Sequence, residues 1–343
     1  MLAVWVHNLK AELVEVGGNF ALRWYGLAYL AGFVAGYFLL KRMAQRGLWV
    51  VKPEKVGDFI AYAALFGVFA GGRLGYVLFY MIPERGLGYV VSDPLVIFKV
   101  WEGGMSSHGG ILGLTIFTFV YARKATLSWP GVGDGLVIAS TLGVCFGRLA
   151  NFINGELYGR AADGVAWAMK FPKELLEPGN PRFDPAMAEA VRLEPERLGG
   201  RWEQYVENPA AGSGPLFEEV MDASRDNAAI LETLARYLEA RHPSQLYQAL
   251  LEGLGLFVIL LAMRLRWPRM AHGIITGWFF ILYALFRILA ERFREPDSSW
   301  IIQDVMTKGQ FYSVFMFVLG GGFLFFAFRG RTGRLGEEIQ GEG

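Results

Sequence analysis

The sequence predicts an all-α polytopic integral membrane protein with about seven transmembrane helices. Three observations predict it. Apolar residues make up 53% of the 343 residues and charged residues only 19%, against about 25% charged in a typical soluble protein. The apolar residues fall in seven long runs separated by short charged stretches. Lys and Arg concentrate at alternate junctions between those runs. The composition also excludes several classes. With Phe at 27 and Trp at 10, the chain is too aromatic to be disordered. A formal net charge of +1 leaves no basic field for nucleic acid, so no nucleic-acid partner is expected. The single cysteine, Cys145, rules out an internal disulfide and any multi-cysteine metal site.

The runs are Ala21–Leu40, Phe59–Ile82, Met105–Tyr121, Val132–Ile153, Pro243–Met263, Gly273–Phe293 and Ile301–Phe328. A bilayer core of about 30 Å needs about 20 helical residues, and each run is near that length. Upstream, His7, Lys10, Glu12 and Glu15 break any apolar stretch of the kind a cleavable signal peptide needs. Basic residues follow the odd-numbered runs: Lys41, Arg42 and Arg46; Arg123 and Lys124; Arg264, Arg266 and Arg269; Arg329, Arg331 and Arg334. By the positive-inside rule the N-terminus lies outside and the C-terminus inside. The polar segment Leu157–His242 then lies outside, with helical stretches expected at Met187–Leu193 and Leu216–Leu238. The expected organisation is residues 1–160 as membrane core with helices 1–4, 161–240 as an outer insertion, 241–330 as core with helices 5–7, and 331–343 as a cytoplasmic tail.

Charges at membrane depth carry the functional information, because each costs about 2.5–3.5 kcal/mol at a helix centre and needs a partner or a task. In the sixth run, Tyr283, Arg287, Glu291 and Arg294 recur at steps of four, four and three, so they share one helix face. A structural ion pair between Arg287 and Glu291 is the plainer reading. The fourth run ends in Arg148, Asn151, Asn154, Gly155 and Glu156, polar groups that break the helix near its outer end. Such backbone is tolerated only under protein or beside a water-filled cavity. The third run opens with His108 among Gly103, Gly104, Gly109 and Gly110, and a histidine suits proton transfer near neutral pH. Arg73 lies in the outer half of the second run, Tyr25 at the start of the first and His242 just before the fifth. All of these fall toward the outer face and describe a cationic, aromatic-rimmed cavity. Guanidinium groups bind phosphate in bidentate geometry, so a phospholipid head group is the natural ligand.

Nothing in the chain forms a metal motif, and no cofactor is expected. The string Gly131-Val-Gly-Asp134 matches the GxGD of intramembrane aspartyl proteases, but no second aspartate faces it at membrane depth.

Four strings together resemble the prolipoprotein diacylglyceryl transferases: Gly103-Gly-Met-Ser-Ser-His108-Gly-Gly110, Gly147-Arg148-Leu-Ala-Asn151-Phe-Ile-Asn154-Gly155-Glu156-Leu-Tyr158-Gly-Arg160, His242-Pro-Ser-Gln-Leu-Tyr247 and Phe293-Arg294-Glu-Pro-Asp297. They occur in the family's order across the membrane body. The outer insertion looks longer than is typical. The resemblance implies a multi-pass enzyme of the bacterial inner membrane with its site toward the periplasm. It implies transfer of an sn-1,2-diacylglyceryl group from phosphatidylglycerol to the lipobox cysteine of a preprolipoprotein, with loss of sn-glycerol 1-phosphate. The expected partners are therefore phosphatidylglycerol, the preprolipoprotein signal peptide and membrane lipids. Arg148 and Arg287 match essential family positions and are expected on the lipid phosphate. The expected catalytic set is His108 as first candidate for the base, Arg148, Arg287, Tyr25, and Glu291, which positions an arginine or serves as the alternative base. Arg73, Asn151, Asn154, Gly155, Glu156, Tyr283, Arg294 and His242 are expected to bind substrate. The competing reading is a transporter or flippase for an anionic phospholipid, which would also line a cavity with Arg and Glu.

Overall fold

The structure is a computed structural model that describes residues 4–15, 21–99, 103–295, 308–330 and 332–336. Pro296 and Asp297 of the last family string, and the first residues of the seventh run, lie outside the described residues.

The chain is mostly helical, and six helices among the described residues are long and apolar enough to cross a membrane. These are α1 (Trp24–Gln45), α2 (Pro53–Arg85), α4 (Trp129–Ile153), α9 (Ser244–Arg266), α10 (Ile274–Glu291) and the apolar part, Phe311–Phe328, of α11 (Lys308–Phe328). The third expected run also forms a helix, α3 (Ser107–Lys124), but His108, Arg123 and Lys124 at its ends make it less apolar. Each expected run thus contains a helix over most of its described length. The first helix starts later than expected because Ala21–Arg23 is a strand, β3, paired antiparallel with β2 (Glu12–Glu15).

The chain divides into two compact units. The first comprises Met1–Leu30, Val144–Leu254 and Leu285–Ser313. Its polar insertion folds into four helices: α5 (Phe183–Leu193), α6 (Pro195–Glu207), α7 (Pro209–Asp226) and α8 (Ala228–Arg236). The expected stretch Leu216–Leu238 is broken at Asn227, whose side chain leaves α7 and caps α8 by accepting from the Ala229 N–H at 3.1 Å. Sequence reading missed α6, whose Pro195 start follows directly on the end of α5. Apolar faces of these helices pack into a core that includes Met187, Leu198, Leu216, Val220, Ile230 and Leu234, all fully buried. The N-terminal strand β1 (Trp5–Val6) pairs in parallel with β4 (Met169–Lys170), joining the N-terminus to this region.

The second unit comprises Ala31–Gly143, Gly255–Ala284 and Val314–Gly343. Helices α2 and α3 cross it in glycine-mediated contact. A Cβ on Gly113 would lie 2.3 Å from the Gly67 carbonyl oxygen and 2.7 Å from the Gly71 Cα. Small residues permit this backbone approach where lipid offers no hydrophobic drive between helices. Large apolar side chains such as Phe38, Ile111 and Val318 point outward, the surface a helical membrane protein presents to lipid.

Candidate active site

In the first unit the end of α4 sets the site. Arg148 and Asn151 stand three residues apart on one face of α4. The helix then closes with N–H bonds from Asn154 to Ala150 O and from Gly155 to Phe152 O. Gly155 has φ +64, which favours glycine, and a Cβ there would lie 2.9 Å from the His7 ring. This turn swings Glu156 back beneath α4, where its N–H donates to Asn151 O at 3.1 Å. The Glu156 carboxylate accepts from the Asn151 amide at 2.9 Å and from the Tyr25 hydroxyl, which in turn accepts from the same amide. The Gln245 amide at the start of α9 donates to Glu156 O at 2.7 Å, and the Ser244 hydroxyl to Leu157 O at 3.0 Å. The string beginning at His242 thus braces the string beginning at Gly147.

Two arginines meet on a carboxylate that sequence reading passed over. Glu252 is fully buried in α9. Arg148 Nη2 lies 3.6 Å from its Oε2, and Arg287 Nη1 lies 3.8 Å from its Oε1. Arg287 Nη2 also pairs with Glu291 Oε2 at 2.9 Å, four residues along α10. Burial, and then the positive charges of Arg287 and Arg148, push the Arg294 guanidinium down to about 10. Three guanidinium groups and two carboxylates from three helical segments therefore share one buried region. Both arginine side chains keep partial exposure, 20% for Arg148 and 15% for Arg287, so they can still meet a ligand. Glu252 sits in a π-helical stretch, Ala249–Gly255, a widened turn often found at functional sites. The signal for it was available: it is the one acidic residue between Ser244 and Arg266.

His242, expected to bind substrate, is held among aromatic rings. Its Nδ1 is 3.1 Å from the Tyr247 hydroxyl, its ring stacks edge-on to Phe293, and burial lowers its pKa. Arg241 beside it is buried and pairs with Glu174 at 2.6 Å and Glu295 at 3.2 Å.

Arg73, His108 and Tyr283 belong to the second unit. Arg73 is buried and donates to the carbonyls of Ile97, Val96, Gly103 and Gly104, so its guanidinium clamps the loop that leads to His108. His108 is exposed in the first turn of α3, which Ser106 caps by accepting the Gly109 N–H at 3.1 Å. Tyr283 packs its ring 5.7 Å from that of Phe279. Asp134 of the GxGD string is fully buried and accepts from Arg264, from the Gly273 and Thr276 N–H groups and from the Thr276 hydroxyl, all at 2.9–3.0 Å. A carboxylate so fully engaged is a structural anchor and leaves the protease reading without a base.

Against known proteins, residues 11–326 match the family model described as prolipoprotein diacylglyceryl transferase. The chain is 39% identical to the phosphatidylglycerol–prolipoprotein diacylglyceryl transferase of Bdellovibrio bacteriovorus, with 92% of each chain covered. It is 38% identical to the protein of that name from Serratia proteamaculans, again with 92% of each covered. Identity to the Escherichia coli O1:K1 protein is 36%, over 91% of each. Set beside the arginine cluster at the end of α4, these matches show that the chain belongs to the prolipoprotein diacylglyceryl transferase family.

Proposed function

We propose that this protein transfers the sn-1,2-diacylglyceryl group of phosphatidylglycerol to a cysteine thiol of a preprolipoprotein, the lipobox cysteine, and releases sn-glycerol 1-phosphate. In this reading it acts in the bacterial inner membrane, with the N-terminus and the site on the periplasmic side and the C-terminus in the cytoplasm. The observation that carries the proposal is the convergence of Arg148 and Arg287 on buried Glu252. The names of the relatives supply the two substrates.

The reaction forms a sulfur–carbon bond and breaks the bond between that glycerol carbon and a phosphate oxygen. The electron pair leaves with the phosphate, which passes from a monoanion toward a dianion. Arg148 and Arg287 bind the phosphate and stabilise this growing charge, a contribution of about 10²–10³-fold per preorganised donor. The thiol proton must go elsewhere, since a free thiol with pKa about 8.5 is mostly protonated at neutral pH. The base for that proton is His108 or, as the alternative, the Glu291 carboxylate, either worth about 10²–10⁴-fold. Tyr25, Asn151 and Glu156 hold the end of α4, and thus Arg148, in register. Glu291 orients Arg287, and Arg294 adds a third cation for the substrate. No step calls for a cofactor.

The test is direct. Purified protein in detergent is incubated with phosphatidylglycerol and a lipobox peptide, and the peptide is weighed by mass spectrometry. The expected result is a mass gain of one diacylglyceryl group, with sn-glycerol 1-phosphate in the supernatant. A peptide of unchanged mass overturns the proposal.

A further inference from the structure

A groove of about 1310 Å³ lies in the second unit, lined by the C-terminal end of α9, the first half of α10 and the end of α11. It exceeds the range of about 300–1,000 Å³ typical of small-molecule sites. Two helix faces form its walls. From α9 come Ile259, Met263 and Arg266, at steps of four and three; from α10 come Ile274, Trp278 and Leu282, at steps of four. Such steps keep each set on one side of its helix. From Ile274 to Leu282 the apolar wall rises about 12 Å.

The charged lining is gathered at one end and has one sign. Arg266 ends α9, Arg269 lies in the loop that follows, and Arg334 comes from the chain beyond α11. Among the described residues no carboxylate lines the groove. The third guanidinium is brought there by the fold. After α11 the chain reverses through Gly330 and Gly333, at φ +69 and +70, backbone that favours glycine. The His272 N–H then donates to Gly333 O at 3.0 Å, and Arg334 forms an antiparallel bridge with Ala271. Basic residues that served only to orient the helices would need no such return.

This arrangement selects its occupant. A soluble anion makes no use of a long apolar wall. The basic leading segment of a signal peptide is repelled by three guanidinium groups. A phospholipid fits both parts, its acyl chain along the apolar wall and its phosphate on the arginines. A net anionic head group is favoured over a zwitterionic one, whose ammonium would sit among like charges. Basic pockets between transmembrane helices at the cytoplasmic side take such head groups.

We propose that this groove holds an anionic phospholipid of the cytoplasmic leaflet, with its phosphate on Arg266, Arg269 and Arg334 and an acyl chain along Ile274–Leu282. It is a lipid site built within the second unit, whereas Arg148 and Arg287 belong to the first. The choice of leaflet rests on the orientation given above; the site itself is independent of the transferase reading.

The experiment photolabels the full chain in detergent with phosphatidic acid carrying a diazirine in one acyl chain, and in parallel with phosphatidylcholine of the same chains. Labelled peptides are mapped by mass spectrometry. Phosphatidic acid is expected to label the Ile274–Leu282 peptide saturably, at a half-saturating concentration about tenfold below that of phosphatidylcholine, and excess inorganic phosphate is expected not to displace it. The double variant Arg266→Gln, Arg269→Gln is expected to raise that concentration about fivefold for each guanidinium lost, thus about 25-fold. A melting curve establishes that this variant is folded; the comparison of the two lipids in wild type decides without it. Equal half-saturation by the two lipids overturns the proposal. So does displacement by inorganic phosphate, which assigns the arginines to a free anion, and so does a folded double variant that labels as wild type does. None of these readouts depends on diacylglyceryl transfer, so failure here and failure of the transferase reading are distinct.

Discussion

At the residue scale, the arginines matter less as isolated charges than as a pair held by Glu252. A guanidinium carries planar, fixed donors, so its use on phosphate depends on orientation. Glu252 touches one Nη of each arginine and leaves the rest of both groups partly exposed. Glu252→Gln keeps the shape and removes the charge. Removing one partner of a buried ion pair typically costs about 3–5 kcal/mol, and here two guanidinium groups are released together. We expect kcat/KM for phosphatidylglycerol to fall by about 10²-fold, while KM for the acceptor peptide is unchanged. Steady-state kinetics at varied lipid concentration checks this. Arg148, Asn151, Glu156, Arg287, Glu291 and Arg294 could be recognised in the sequence because each is a polar residue in or beside an apolar run, repeated at helical spacing. Glu252 carried the same signal, a lone acidic residue in an apolar run, but its pairing with both arginines appears only when three helical segments are brought together. Arg73 shows the converse. Its position marked it for a ligand, yet backbone carbonyls take up its donors, and nothing in the local sequence reveals which carbonyls a buried arginine will reach.

At the scale of elements, membrane length and apolarity made the helices legible, while their ends were set by local chemistry. Helix α1 could not begin at Ala21, because Ala21–Arg23 hydrogen-bonds to β2. The insertion helices were harder to delimit, since Asn227 and Pro195 divide what composition presents as continuous. Contact between α2 and α3 rests on glycine spacing, which gives a sharp contrast between neighbours. Gly113→Ala places a methyl group 2.3 Å from the Gly67 oxygen, whereas Gly110→Ala meets only Val68 O at 3.6 Å. Overpacking of the first kind costs about 1–3 kcal/mol. Gly113→Ala is therefore expected to lower Tm in detergent clearly, and Gly110→Ala to leave it within error. Differential scanning fluorimetry separates the two.

At the scale of the whole molecule, the N-terminus is tied down by a buried histidine. His7 is 4% exposed, contacts Phe152 and Phe171 with its ring, and its Nε2 lies 2.7 Å from Phe152 O. Burial, the largest cause, lowers its pKa from 6.5 to about 4, so it is neutral at pH 7. The folded state then binds a proton less readily than the unfolded chain. Stability from this group is fully present above pH 6.5 and is lost as pH falls toward about 4. The loss totals about 3 kcal/mol by linkage. Melting curves between those pH values are expected to shift downward in wild type, with a flatter profile in His7→Phe. The sequence offered His7 only as a polar interruption near the N-terminus, because the strand pairing that buries it links positions far apart in the chain.

The measurement that bears most directly on the central claim is the rate of diacylglyceryl transfer by Arg148→Gln and Arg287→Gln, each shown by its melting curve to remain folded. If both guanidinium groups stabilise the departing phosphate, each variant loses about 10²–10³-fold in kcat. Turnover within a few-fold of wild type in either variant would contradict the assignment of that arginine to the phosphate.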